Sequence, residues 1–282
     1  MVLRIVLPKG RIYDKVCEIL SECGLNFSAI DRNYRPLVSK ENIEIKLLKC
    51  QNIPPLVELG HHDIGFAGLD WIKEQNSNVV NLLDLGFDPV KIIAAIPENS
   101  QIEQLKNRPI VVVSEYENLT KKYLNQNGYQ FKFIRSYGAT EVFPPEDADL
   151  IVDNTATGAT LKANHLKIVS TILESTTQFI ANKQAMNDPT KKIQIENILS
   201  IMQGVIQAKN RVLLEMNCEE INLNQIVSIL PSMRSVTVSK LFKSNWYSVK
   251  SAVLLKDVPD LIVKLNIAGA KDILEIPIRK VM

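Results

Sequence analysis

Short apolar runs alternate with amphipathic segments from the start of the chain. Runs at residues 3–7, 43–49, 63–67, 90–96, 109–113, 131–135, 150–152 and 168–173 predict strands. Segments 13–23, 54–59, 69–74, 119–125 and 160–166 predict helices between them. This rhythm is that of an α/β protein with mainly parallel sheets. The best helical period lies at 191–209, where Ile195, Ile198, Leu199, Met202, Val205 and Ile206 share one face. After it the order changes. Strand 212–216, helix 223–229, strands 235–241 and 248–255, helix 259–268 and strand 273–276 give β-α-β-β-α-β, the ferredoxin-like order. A boundary is expected near residue 208.

Composition narrows the class without choosing a function. A length of 282 residues allows about two domains. Hydrophobic content of 46% and charged content of 23% are ordinary for a globular protein. A net charge of +2 argues against a nucleic-acid partner. The apolar start stops at Pro8, too soon for a signal peptide, and no apolar run approaches membrane-spanning length. A cytoplasmic location with no membrane association is therefore expected. Cys17, Cys23, Cys50 and Cys218 form no C-x-x-C and no zinc-like spacing, so they read as reduced thiols.

The chemistry concentrates in D-L-I-V-D-N-T-A-T-G-A-T-L, from Asp149 to Leu161. A strand ends in Asp153, a hydroxyl-rich turn follows, and a helix begins. Backbone N–H groups at such a turn converge on an anion, especially a phosphate. Asp153 repels phosphate and is better suited to sugar hydroxyls or Mg²⁺. The pair fits a phosphorylated sugar. Glu141, upstream, is a second candidate oxygen ligand or an exposed carboxylate. Lys9 and Arg11 follow the first strand, where an α/β sheet binds ligands, and either grip phosphate or form a solvated turn. Gly68 and Asp70 follow another short strand, with Asp70 as helix cap or ligand contact. His61 and His62 are adjacent and do not face the same way, which disfavours a metal. Residues 173–182 read as a strand exit and a capped helix, with Glu174 and Ser175 hydrogen-bonding rather than reacting. No Ser/His/Asp, Cys/His or paired-acid set is evident. Catalysis would rest on positioning, Mg²⁺ and charge stabilisation.

Seven segments together resemble the ATP phosphoribosyltransferase family in its long form. They are L-P-K-G-R from Leu7, N-I-P-P-L-V-E-L-G-H-H-D-I-G-F-A-G-L-D from Asn52, and G-A-T-E from Gly138. A-D-L-I-V-D-N-T-A-T-G-A-T-L-K-A-N from Ala148 and L-E-S-T-T-Q-F-I-A-N from Leu173 follow. L-P-S-M-R-S-V-T-V from Leu230 and G-A-K-D-I-L from Gly269 complete the set. Each is weak alone, but their order and spacing over nearly the whole chain are specific. The resemblance implies an α/β fold of two periplasmic-binding-protein-like lobes with parallel-rich sheets plus a C-terminal ACT-like domain. Residues 1–90 plus 179–208 would form lobe I, 91–178 the phosphoribosyl-binding lobe II, and 209–282 the regulatory domain. Some positions depart from the family pattern: Lys49 for Arg, Asn52 for Asp, Glu146-Asp147 for Gly-Leu, His165 for Gly, and Ser232 and Val236 for Gly and Pro. Lys at 49 keeps the charge but loses the bidentate fork.

The implied reaction transfers phosphoribosyl from phosphoribosyl pyrophosphate to N1 of ATP, the first step of histidine biosynthesis, with Mg²⁺ as cofactor. The implied catalytic set is Lys9, Arg11, Lys49, Glu141 and Asp153. Asp153, Ala156, Thr157, Gly158, Ala159, Thr160 and Leu161 would hold the sugar phosphate. Lys9, Gly10, Arg11, Lys49, Gly68 and Asp70 would hold the nucleotide, and Glu141 and Asp153 the metal. Histidine, the feedback inhibitor, would meet Asn217, Met233, Ser235, Thr237, Ala252 and Ala270. A homo-oligomer, dimer or hexamer, is expected, with no separate regulatory subunit. Two rivals stay open on the residues alone: a two-lobed solute receptor or sensing module, and a phosphoribosyltransferase serving another nucleophile.

Overall fold

Strands Ile64–Gly68 and Thr177–Ala181 are buried at every position, and Leu3–Pro8 at nearly every one. The computed structural model describes residues 2–28 and 34–282, in two compact units, Met1–Glu196 and Asn197–Met282. In the first unit these strands build a five-stranded sheet. Its order is Ile43–Leu48, Leu3–Pro8, Ile64–Gly68, Thr177–Ala181, Val80–Asp84. The first three are parallel, and Thr177–Ala181 runs antiparallel to both its neighbours. A second sheet repeats the plan in the order Phe131–Arg135, Ile110–Ser114, Leu150–Thr155, Val90–Pro97, Leu166–Ser175. Again three parallel strands meet an antiparallel one, Val90–Pro97. These are the two periplasmic-binding-protein-like lobes.

Both faces of the second sheet are covered. Ile92, Ala94, Val112, Leu150 and Val152 pack on one side, with Tyr116 and Leu124. Ile93, Ala95, Val113 and Ile151 pack on the other, with Leu161 and Leu166. Two covered faces explain why these strands read as continuous apolar runs rather than alternations. In the first sheet, helix Ile53–Glu58 lies so close that a Cβ on Gly65 would stand 2.7 Å from Val6 Cγ1 and 2.9 Å from Ile53 Cγ2. Glycine here is a packing requirement.

The second unit carries Arg211–Glu219, Leu223–Ile229, Thr237–Lys240, Trp246–Leu254, Val258–Ile267 and Lys271–Pro277. The four strands form an antiparallel sheet in which Arg211–Glu219 lies between Trp246–Leu254 and Lys271–Pro277, with Thr237–Lys240 at the edge. This is the ACT-like β-α-β-β-α-β arrangement. Val212, Leu214, Met216, Cys218, Val249 and Val253 face the core with Ile226, Leu261 and Leu265 from the helices.

The structure departs from the sequence expectation in several places. Residues 173–182 do not pass from a strand exit into a helix. They contain the interior strand Thr177–Ala181, and the helix Lys183–Asn187 begins only after Asn182, whose side chain accepts from the Ala185 N–H. Thr177 and Gln178 gave the strand a polar look, yet both are buried, and Gln178 is satisfied by Asn81 and Thr176. Strand Val80–Asp84 was not expected either, because its burial is only partial and its pattern short. The helix expected at 160–166 is Ala159–Ala163, ended by a left-handed His165 (φ 55°) that turns the chain into strand Leu166–Ser175. The long helix starts earlier than expected, at Pro189, and runs to Lys209, so the division between units falls inside it.

Candidate active site

Four strands of the two sheets end around one region: Leu3–Pro8, Ile64–Gly68, Ile110–Ser114 and Leu150–Thr155. Carboxyl ends of strands are where α/β sheets bind ligands. Two cavities open there. The larger, about 430 Å³, is lined by Arg11, Glu115, residues 138–141, residues 153–157 and residues 159–161. The smaller, about 200 Å³, is lined by Lys9, Arg11, Cys50, Gly68, Asp70, Trp71, Asp88, Tyr116, Asn154 and Ser175, among others. Arg11 and Asn154 line both.

The larger cavity gathers most of the candidate anion turn. Asp153, Ala156, Thr157, Ala159, Thr160 and Leu161 line it together with Glu141. Gly158 adopts φ 77° and caps helix Ala159–Ala163, a conformation that L side chains avoid. Its N–H is taken by Thr155 Oγ1 at 2.9 Å. The next N–H, that of Ala159, donates to Thr157 Oγ1 at 3.4 Å. Glu141 sits in the 3-10 turn Thr140–Val142 behind a left-handed Ala139 (φ 49°). Asp153 is pushed up to about 6, first by burial, with Glu141 and Glu115 adding repulsion against the Asn154 N–H.

The smaller cavity is organised by Asp70, only 4% exposed. Its backbone N–H donates to Ser175 Oγ at 3.0 Å, and Ser175 Oγ donates to Asp70 Oδ1 at 2.7 Å. Tyr116 Oη donates to Oδ2 at 2.8 Å, and Asn154 Nδ2 donates to Tyr116 Oη at 3.2 Å. Burial, then the Asp70 charge, drives the Tyr116 phenol far above its ordinary value. The Asp70 carboxylate folds back over Gly68, leaving no room there for a Cβ. Arg11 Nε donates to Asp88 Oδ2 at 2.8 Å. Lys9 Nζ stands 3.5 Å from the centroid of the Tyr34 ring, with the left-handed Gly10 (φ 90°) between the two cations.

One family model, described as ATP phosphoribosyltransferase, matches residues 49–204, and another, described as HisG, C-terminal domain, matches residues 208–280. The chain belongs to the ATP phosphoribosyltransferase family. An ATP phosphoribosyltransferase of Chlorobium phaeobacteroides is 41% identical over 287 aligned positions, covering 100% of this chain and 98% of the relative. One from Thermodesulfovibrio yellowstonii is 40% identical with the same coverage. A chain of the ATP phosphoribosyl transferase (HisG:HisZ) complex from Thermotoga maritima shares the fold, with TM-score 0.65 and 24% identity over 72% of this chain and 99% of its own.

Both cavities of this ATP phosphoribosyltransferase family member lie in the unit that precedes the C-terminal domain. Three expected site residues of this unit, Gly10, Lys49 and Gly158, line neither cavity, and Lys49 is exposed, just before the 3-10 turn Cys50–Asn52. Among the described residues no group of three or more His, Cys, Asp and Glu is arranged to hold a metal. Likewise, no described helix is long and apolar enough to cross a membrane. In the C-terminal unit, strand register places Asn217, Thr237 and Ala252 on the sheet face away from the helices, while Met233 and Ser235 are exposed ahead of the edge strand. Ala270 is fully buried in the core of that unit.

Sequence reasoning missed Tyr116, Asn154, Trp71 and Glu115; Ser175, expected to hydrogen-bond rather than react, hydrogen-bonds to Asp70. Tyr116 had a usable signal, because it sits just past the carboxyl end of an apolar strand. Asp88 had none: it meets Arg11 only through the fold.

Proposed function

We propose that the chain transfers the phosphoribosyl group of phosphoribosyl pyrophosphate to N1 of ATP. The observation that carries this reading is the shared wall of the two cavities. Arg11 and Asn154 border both an anion turn and an acid-lined pocket, so a sugar phosphate and a purine nucleotide would meet between them. The N1 lone pair forms the new bond to C1. The electrons of the C1–O bond leave with pyrophosphate, and C1 inverts. Charge develops on the sugar in an oxocarbenium-like transition state, as in other glycosyl transfers.

In this assignment Thr157, Gly158, Ala159, Thr160 and Leu161 cradle the 5-phosphate, with Ala156 beside them. Asp153 holds the ribose hydroxyls. Lys9, Gly10 and Arg11 hold phosphates from the opposite lobe, with Gly68 and Asp70 placing the nucleotide. Lys49, next to the cavity-lining Cys50, adds charge outside the cavities rather than a direct contact. Glu141 and Asp153 fit Mg²⁺, since Glu141 repels Asp153 and a cation relieves that repulsion. Two carboxylates are a usual protein share for Mg²⁺ held through substrate phosphates. The ion supplies charge neutralisation of the departing pyrophosphate.

Residues 1–90 with 179–208 and residues 91–178 act as the two catalytic lobes in this reading, and residues 209–282 as the regulatory domain. Histidine docks on the open sheet face at Asn217, Thr237 and Ala252, with Met233 and Ser235 at its edge. Ala270 shapes the fold beneath without touching the ligand. A homo-oligomer supplies the facing surface. The test mixes protein, ATP, phosphoribosyl pyrophosphate, Mg²⁺ and pyrophosphatase, then repeats with histidine. A near-ultraviolet absorbance rise that histidine suppresses is expected. No rise with active pyrophosphatase present overturns the assignment.

A further inference from the structure

Among the described residues, Arg11 is the cation that lines both cavities. Its side chain is 59% exposed, and one contact restrains it: Nε donates to Asp88 Oδ2 at 2.8 Å. No other described residue takes a hydrogen bond or an ion pair from this guanidinium. The guanidinium is a rigid planar fork, so a bond at Nε restricts the plane of the whole group. It also leaves the donors on Nη1 and Nη2 for a ligand.

Asp88 is itself held by its surroundings. Its side chain is 15% exposed. It lies in residues 85–89, which carry the chain from strand Val80–Asp84 of the first sheet to strand Val90–Pro97 of the second. This passage is tied to the start of strand Thr177–Ala181. The Leu85 N–H donates to Thr177 O, and the Thr177 N–H donates to Phe87 O, both at 3.0 Å. Asp84 Oδ1 accepts from the Gly86 N–H at 2.9 Å and from Thr176 Oγ1 at 2.7 Å. Leu85 and Phe87 are buried. Asp88 adopts a left-handed φ of 52°, a region open to Gly, Asn and Asp but costly for most residues. The anchor of Arg11 is therefore a fixed point on the passage between the lobes.

Charge alone does not account for a carboxylate here. The smaller cavity is lined by two cations, Lys9 and Arg11, and two carboxylates, Asp70 and Asp88. Asp70 is engaged by Tyr116 and Ser175. Asp88 offsets the charge of Arg11 and has the wrong sign for a phosphate-rich ligand. As an ion pair with an exposed arginine it is also a weak source of stability. What it supplies is orientation.

We propose that Asp88 is a positioning residue for phosphoribosyl transfer: by holding Nε, it presents the Nη1 and Nη2 edge of Arg11 to the wall shared by the two cavities, where charge builds on the departing pyrophosphate. The role rests on the phosphoribosyl-transfer reading of those cavities. Removing the carboxylate makes the wall more positive, which by itself tightens anion binding and lowers KM. Losing the tether misplaces the fork and lowers kcat. Positioning therefore shows as a lower kcat with KM unchanged or lower. A charge effect alone lowers KM and spares kcat.

The experiment compares the full chain with Asp88→Gly, Asp88→Asn, Arg11→Lys and the Asp88→Gly, Arg11→Lys double variant in steady-state kinetics. Glycine fits the left-handed backbone, so the side chain is lost without strain. Asparagine keeps an oxygen acceptor for Nε. Asp88→Gly is expected to lower kcat by about tenfold or more, with no rise in either KM. Asp88→Asn recovers most of that loss. In the Arg11→Lys background, Asp88→Gly changes kcat by less than about twofold. An unchanged kcat in Asp88→Gly overturns the proposal, as does a full loss that persists in the Arg11→Lys background. A second readout is independent of turnover. In ¹⁵N-arginine-labelled protein the Arg11 Nε–H resonance, assigned by Arg11→Lys, exchanges with water faster in Asp88→Gly than in the unaltered chain or in Asp88→Asn. Absent turnover in the unaltered chain fails the phosphoribosyl-transfer reading. An Nε–H exchange rate equal in the unaltered chain and Asp88→Gly overturns the role of Asp88 whatever the turnover.

Discussion

The hydroxyl of Tyr116 donates to Asp70 Oδ2 at 2.8 Å, joining the strand end of one sheet to the helix that follows a strand of the other. The second oxygen of Asp70 is held by Ser175, at the end of a chain crossing between the sheets. Trp71 stacks on Tyr116 with ring centroids 4.6 Å apart. Neither lobe alone satisfies this carboxylate. Tyr116→Phe removes a hydrogen bond to a buried charged group, a loss of about 1.5–3 kcal/mol. At about 2–4 °C per kcal/mol for a unit of this size, the Tm falls by several degrees. Differential scanning calorimetry measures it, and an unchanged Tm would show that Asp70 finds its partner elsewhere. The KM for ATP rises in the same variant.

Gly158 marks the candidate anion turn by conformation, not by crowding. The nearest atom to a Cβ there is Ile168 Cδ1 at 4.0 Å, so space exists, but φ is 77°. A β-branched residue is strained in this region by about 1–2 kcal/mol. Gly158→Val therefore reshapes the turn. The expected kinetics are a KM for phosphoribosyl pyrophosphate raised about tenfold or more, for about 1.4 kcal/mol of lost binding, with the KM for ATP changed much less. Equal changes in both would remove the turn from the sugar-phosphate site.

Asp153 is pushed up to about 6, above the ordinary carboxylate range, by burial first and then by the neighbouring charges of Glu141 and Glu115. A group raised in this way is ionised above that value and protonated below it. If the carboxylate form binds the sugar, kcat/KM falls by about tenfold per pH unit as pH drops below 6. Glu141→Gln removes one repulsive neighbour and moves the midpoint down. A pH profile in which that variant keeps the original midpoint would assign the limb to another group.

Gly65 tests the packing of the first sheet. Gly65→Ala drives a methyl against Val6, Ile53 and Val57, all within 3.0 Å of the ideal Cβ. Overpacking of this kind costs about 1–3 kcal/mol. Urea denaturation should show a lower midpoint with an unchanged slope.

The open face of the C-terminal sheet tests regulation. Thr237 is exposed on the edge strand, across from Lys250 and on the same face as Ala252 and Asn217. Thr237→Arg fills that face without entering the core. The histidine concentration needed for half inhibition rises by about tenfold or more, equivalent to about 1.4 kcal/mol, while kcat without histidine is retained. Retained sensitivity would place the effector elsewhere.

Much of the site was legible before folding was considered. The run from Asp149 to Leu161 declares its own strand, turn and helix, because φ-permissive glycine, small hydroxyl residues and a preceding apolar run are local signals. Lys9, Arg11, Gly68 and Asp70 were legible for the same reason: each sits where a strand ends. Strand Thr177–Ala181 was not legible, since Thr177 and Gln178 look polar until Thr176 and Asn81 come to satisfy Gln178. Lys49 entered the candidate site only through the family resemblance, and its side chain is exposed just before the turn at Cys50–Asn52.

By itself the chain determined its alternating α/β order, the ferredoxin-like order at its C-terminal end and the strand, turn and helix around Gly158, because these depend on neighbours a few residues apart. Tertiary structure alone decided that Tyr116, Asp70, Ser175 and Asn154 form one hydrogen-bonded line, and that Arg11 meets Asp88. Those partners are separated by up to 105 residues in sequence. No local propensity encodes such contacts. They exist because the chain crosses between the two sheets and returns, bringing strand ends of both lobes to one place where buried charges must be satisfied.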